Sequence, residues 1–174
     1  MKAAKAASVH ASAVLVGNRA VLIRGPSGAG KSRLAFDLIL AGRSGQIPPA
    51  VLVGDDRVQL EMHQGKLVVR PVRELAGLIE IRGLGIRRCP FTEQAVVGLV
   101  VDLSATDAER LPPPQALLTE LCGVSIPRIP VTAGFAPLSL VAAALTTDGS
   151  VPTQPSDNCL KGIGNHISPN IATE

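Results

Sequence analysis

The chain is poor in aromatic residues: its 174 residues include three Phe, no Tyr and no Trp. Proteins that hold single-stranded nucleic acid without sequence preference stack bases on aromatic rings, so that role is not expected. Runs of like charge are missing too. The net charge is +3 and the 17 Lys and Arg are scattered, which leaves no electrostatic footprint for nucleic acid or a membrane surface. Cysteine is sparse. Cys89, Cys122 and Cys159 are singletons with no ligand-type spacing, and an odd, sparse count suits a reducing compartment. No apolar stretch reaches the roughly 18 residues a membrane span needs. Met1–Val16 carries Lys2 and Lys5 and is broken by His10, unlike the long apolar core of a signal peptide. These absences together predict a cytoplasmic protein.

What is present is apolar surface: 46% hydrophobic against 18% charged residues. That is enough to offset chain entropy and fold, and the length predicts one domain. Its core must be built from Val, Leu, Ile and Ala. We expect this domain over residues 1–146. The chain turns polar from 147 to 174, which predicts a tail of low order with Cys159–Ile163 as a docking stretch.

Apolar runs at Val9–Val16 and Ala20–Arg24, split by Gly17-Asn18, read as a hairpin. The second run leads into a glycine-rich loop. Leu34, Ala35, Leu38 and Ile39 then recur at helical spacing, with Gly42 as the expected C-cap. Ala50–Val53 reads as a buried strand. Arg57–Glu61 and Lys66–Arg70 flank His63-Gln64-Gly65 as a second hairpin. Leu78–Arg82 precedes a glycine-punctuated stretch, and Ala95–Asp102 reads as a strand. Ala105–Pro114 reads as a loop, Thr119–Val131 as strand pieces interrupted by Pro127 and Pro130, and Pro137–Leu145 as a short helix. The order predicts an α/β fold with strand hairpins, not a regular doubly wound sheet.

The strongest signal is Gly25-Pro26-Ser27-Gly28-Ala29-Gly30-Lys31-Ser32, a full match to GxxxxGK[ST] between a strand and a helix. The glycines open backbone angles that aim successive N–H groups at phosphate oxygens. The helix that follows adds its positive end. The Lys31 ammonium neutralises β/γ oxygens, and the Ser32 hydroxyl is a hard ligand suited to Mg²⁺. This predicts nucleoside triphosphate binding.

Asp55 and Asp56 follow the apolar strand, where ligands gather in open α/β sheets. Adjacent strand residues point to opposite sides, so one carboxylate can face a metal while the other takes a proton. A solvated turn is the plainer alternative. Glu80 sits between Ile79 and Ile81, two residues before Arg82. It is either a metal ligand or the polar face of a strand. His10, in an apolar strand, reads on its own as an ordinary core or surface residue.

Taken together, these residues resemble the C-terminal catalytic domain of the HPr kinase/phosphorylase family. The resemblance is carried by Val9-His10, by GPSGAGKS, by GDDRV at Gly54–Val58 and, most specifically, by EIRGLGI at Glu80–Ile86. It covers residues 8–90 and looks like the short form found in alphaproteobacteria. The resemblance implies a P-loop kinase core related to phosphoenolpyruvate carboxykinase. ATP and Mg²⁺ would be its cofactors, and a serine of HPr, the small phosphocarrier of the sugar phosphotransferase system, its acceptor. It implies that Lys31 and the Gly25–Ser32 loop bind ATP and that Ser32 and Glu80 hold Mg²⁺. An Asp of the 55/56 pair, with Asp56 favoured, would be the base, and His10 would assist. A homo-oligomer is also in keeping with it. The family further removes the phosphate with inorganic phosphate. Its later Arg-Pro-Gly-Arg-Asn loop, however, reads Thr132-Ala133-Gly134-Phe135-Ala136 here. Both arginines are gone, which weighs against that reverse reaction. The alternative is an ATP-sensing regulatory protein that binds a partner without efficient transfer. A kinase for a small metabolite is a third reading.

Overall fold

Two-residue alternation sets up the sheet. Val14, Val16, Val21 and Ile23 are buried on one face, and Ala13, Ala20 and Leu22 on the other, as expected for strands covered on both sides. The computed structural model describes residues 8–148. In chain order these form β1 (Ser8–Val9), β2 (Ser12–Val16), β3 (Arg19–Arg24), α1 (Lys31–Arg43), β4 (Ala50–Gly54), β5 (Val58–His63) and β6 (Lys66–Pro71). There follow β7 (Leu78–Ile81), β8 (Gly85–Arg88), β9 (Ala95–Leu103), β10 (Leu118–Leu121), β11 (Val124–Val131) and α2 (Leu138–Thr146). The fold is therefore α/β and strand-rich, as predicted. The expected tail, with Cys159–Ile163, lies outside the described residues apart from Thr147 and Asp148.

The main sheet runs β1-β5-β6-β9-β3-β2-β4. β9 is its centre. One edge of β9 pairs parallel with β3; the other pairs antiparallel with β6 at its start and parallel with β11 at its end. β2 is antiparallel to both β3 and β4, so β4 points the same way as β3. The carboxyl ends of β3, β4, β9 and β11 consequently face one side of the molecule, where ligands bind in sheets of this kind. One apolar side of the sheet packs with α1, α2 and β7. The other is closed by residues of the β5–β6 hairpin and by Ile126. β7 and β8 form a separate two-stranded ribbon.

Turn chemistry explains the hairpins. Gly17 takes φ 60° at the first central position between β2 and β3, as a type II′ turn requires. Gln64-Gly65 and Cys122-Gly123 have positive φ at both central positions, the I′ pattern.

Three expectations are corrected. The Val9–Val16 run is not one strand: it breaks at His10, where the chain leaves the β1–β5 pairing and joins β3 and β4. Gly42 is not the end of α1. The helix continues to Arg43, and Gly45, φ 75°, supplies the left-handed residue. The Gly45 N–H donates to Gly42 C=O and the Gln46 N–H to Ala41 C=O, a Schellman arrangement. Gly42 is needed for another reason: a Cβ there would lie 2.6 Å from the Ala50 nitrogen. Finally, Pro127 and Pro130 do not break Thr119–Val131 into pieces. β11 runs through both because residues 124–127 pair only with β10 and residues 128–131 only with β9. A one-sided ladder tolerates a missing N–H.

Candidate active site

The Gly25–Ser32 loop joins β3 to α1. Gly25 is forced by space as well as by its φ of 149°, since a Cβ there would meet Leu103 Cβ and its carbonyl oxygen at 3.0 Å. Gly30, φ 98°, caps α1, and its C=O accepts the Leu34 N–H at 2.9 Å. The first turn of α1 carries no acid, so its positive end is left for an anion. Lys31 is buried, and its Nζ donates to Gly25 O at 2.9 Å and Pro26 O at 3.0 Å. Burial pushes the Lys31 ammonium below its ordinary pKa, while the charges of Asp56 and Asp55 pull it back up.

A cavity of about 850 Å³ opens over this loop, within the usual range for a small-ligand site. The structure brings His10, Lys31, Ser32, Asp56 and Glu80 to its wall, with Ser27, Gly28, Ala29 and Gly30 as its floor. Gly25 and Pro26 stand behind the floor, where their carbonyls hold Lys31.

The acidic pair separates, and of the two only Asp56 lines the cavity. Asp55 is 3% exposed and does not line the cavity. Its Oδ1 accepts the Ser12 hydroxyl at 2.5 Å and its Oδ2 the Glu80 N–H at 3.0 Å. It ties β2 to β7 and so sets where Glu80 stands. Asp56 projects the other way. Its φ is 63°, and across it the Arg57 N–H donates to Asp55 O at 2.7 Å, closing a tight γ-type turn. Such backbone strain concentrates at functional positions. The Asp56 side chain is 61% exposed, and its Oδ1 lies 3.4 Å from His10 Nε2. His10 reaches it from the step between β1 and β2.

Sequence reasoning missed a second ionic cluster. At the ends of β3 and β9, Arg24 Nε and Nη2 donate to Asp102 Oδ1 and Oδ2, both at 2.7 Å. Arg128 Nε also donates to Asp102, and its Nη1 and Nη2 donate to Asp107 at 2.7 and 3.0 Å. Burial pushes the Asp102 carboxyl up. The hydrogen bonds and charges of Arg24 and Arg128 overcome this and hold it below the usual carboxylate range. The available signal was Asp102 at the end of Ala95–Asp102, an acid closing an apolar run as Asp55 does. Also missed was the 131–138 segment, which forms a whole wall of the cavity.

A parallel strand, a glycine loop with a buried lysine, and a helix beginning at that lysine define an α/β protein of the P-loop class. The chain belongs to the HPr serine kinase C-terminal domain family, whose model matches residues 1–150. It is 39% identical over 141 residues to an HPr kinase/phosphorylase of Enterococcus faecalis, covering 73% of this chain and 43% of that protein. It is 31% identical over 153 residues to one of Mycoplasma mycoides subsp. mycoides, covering 80% and 47%. The chain thus spans about half the length of the curated relatives it matches. In fold it is similar to the solved HPr(Ser) kinase/phosphatase from Coxiella burnetii, with TM-score 0.63 and 24% identity over 79% of this chain and 87% of that one.

Proposed function

We propose that the chain is an ATP-dependent serine kinase acting on HPr or an HPr-like phosphocarrier. The observation that carries the reading is the exposed Asp56 carboxylate, 3.4 Å from His10 Nε2 on the wall of a cavity floored by the Lys31 loop. Family membership and the names of the relatives support HPr as acceptor.

The chemistry follows from the placement. Loop N–H groups and Lys31 hold the β- and γ-phosphates. Asp56 takes the proton from the acceptor serine as its oxygen attacks the γ-phosphorus. The new O–P bond forms while the bond to the β-phosphate oxygen breaks, and ADP leaves. His10 holds the Asp56 carboxylate towards the cavity. Asp55 is a positioning residue through Ser12 and the Glu80 backbone. The donor set fits Mg²⁺. Ser32 and Glu80 bring two hard oxygens to the cavity, and among the described residues no cluster of three or more His, Cys, Asp or Glu forms a full cage. Mg²⁺ is characteristically held by one or two protein oxygens together with phosphates and water. Bound there, it would neutralise charge on the phosphates.

Incubation with ATP, Mg²⁺ and purified HPr should yield phosphoserine. ATP binding without phosphoserine would defeat the kinase reading and favour the ATP-sensing regulator. Turnover with a metabolite and none with HPr would favour a metabolite kinase. Loss of both arginines in Thr132–Ala136 supports a forward reaction with weak phosphorolysis. Supplying phosphorylated HPr and inorganic phosphate measures that.

A further inference from the structure

The cavity has two sides, and strand order separates them. At the carboxyl ends the order is β11-β9-β3-β2-β4. The phosphate loop leaves β3, in the middle. The His10, Asp56 and Glu80 groups all come from beyond it on the β2–β4 side. The opposite wall includes Leu103-Ser104 at the end of β9 and residues 131–138, from the end of β11 to the start of α2. A triphosphate that presents its terminal phosphate to Asp56 must therefore carry its nucleoside towards the β9–β11 side.

That side carries an exposed aromatic ring, Phe135, in a chain with few aromatics. Of three Phe in the sequence, Phe36 and Phe135 both line this cavity. Phe36 belongs to α1 and packs against the core. Phe135 is 59% exposed. Its place is fixed by a turn in which the Phe135 N–H donates to Thr132 O at 3.1 Å and Gly134 takes φ 79°, the positive φ a type II turn needs at that position. An exposed ring at the edge of a ligand cavity gains by covering a flat apolar surface, and a nucleobase offers one.

We propose that Phe135 is the base-stacking residue of this site, and that the 132–137 turn forms the subsite for the purine of the bound nucleotide. This rests on the phosphate-loop reading above. The test is calorimetric titration of the wild-type chain, Phe135→Ala and Phe135→Tyr with ATP and with inorganic tripolyphosphate. Loss of one aromatic–base stack at an exposed edge should weaken ATP binding about five- to tenfold. Tripolyphosphate binding should stay unchanged, and Phe135→Tyr should retain wild-type ATP affinity. Equal ATP affinity in Phe135→Ala, or an equal loss for ATP and tripolyphosphate, would overturn the base subsite while leaving the phosphate loop intact. A wild-type chain that binds neither ligand would overturn the phosphate-loop reading and the subsite with it.

Discussion

Two acids close apolar strands on either side of the phosphate loop, and they have opposite surroundings. Asp102 accepts three charge-assisted hydrogen bonds. Two arginines bond both its oxygens, and one of them continues to Asp107. Among the described residues Asp56 has one ionic contact, to His10 at 3.4 Å, and it is 61% exposed. A carboxylate bonded at both oxygens by fixed partners holds strands together; one that is largely exposed has capacity to take a proton. Asp55 shows how fine the distinction is, since it adjoins Asp56 in sequence yet belongs with Asp102.

The contrast can be broken by substitution. Lys31→Ala should give the largest effect, lowering phosphoryl transfer on the order of 10³-fold in a phosphoserine assay, because it removes a charge preorganised for the phosphates. Asp56→Asn should lower transfer on the order of 10²-fold or more with the melting temperature unchanged. Asn tolerates the positive φ at this position, so the fold is not strained. A melting temperature that falls along with activity would place Asp56 with the structural acids. Asp55→Ala should do the reverse of a purely chemical lesion. It leaves the Ser12 hydroxyl and the Glu80 N–H unpaired, at a cost of about 1–3 kcal/mol by denaturant unfolding.

Asp102→Ala should cost about 2 kcal/mol, between an exposed pair (about 0–1 kcal/mol) and a broken fully buried one (about 3–5 kcal/mol), because Arg24 keeps some contact with water. The sign of its pH dependence follows from its lowered pKa. The folded state binds the Asp102 proton more weakly than the unfolded chain does. Its contribution is thus fully present above the ordinary carboxylate pKa of about 3.9 and is lost as pH falls through the lower folded value. The stability gap between wild type and Asp102→Asn should be constant at neutral pH and narrow below about pH 4. A gap that persists unchanged into that acid range would show that packing, not charge, fixes the cluster. The smallest effect should come from His10→Ala, about a tenfold fall in transfer, since it touches Asp56 through one long contact.

Much of this was legible locally. The Gly25–Ser32 loop, the α1 periodicity and the hairpin at Gly17-Asn18 depend on neighbouring residues, and the structure has them in place. The I′ turn at Cys122-Gly123 was also local, but two prolines in Val124–Val131 masked it. They are tolerated only because β11 exchanges β10 for β9 between Pro127 and Arg128, a fact no local window contains. Gly42 misled for a related reason: it reads as a helix stop and is in truth a close approach to Ala50.

The sequence by itself determined the class of chemistry, because backbone angles at glycine, a helix start and a lysine six residues after Gly25 act over a single turn of chain. Aromatic scarcity, too, was fixed there. Only the tertiary structure decided which acid is free. Asp55 is consumed by Ser12, 43 residues away, and Asp102 by Arg24, 78 residues away. It also decided that Phe135 shares a cavity with Lys31. Side chains so far apart meet only once strand order is set, and hydrogen-bond capacity spent on such a contact is no longer available for catalysis.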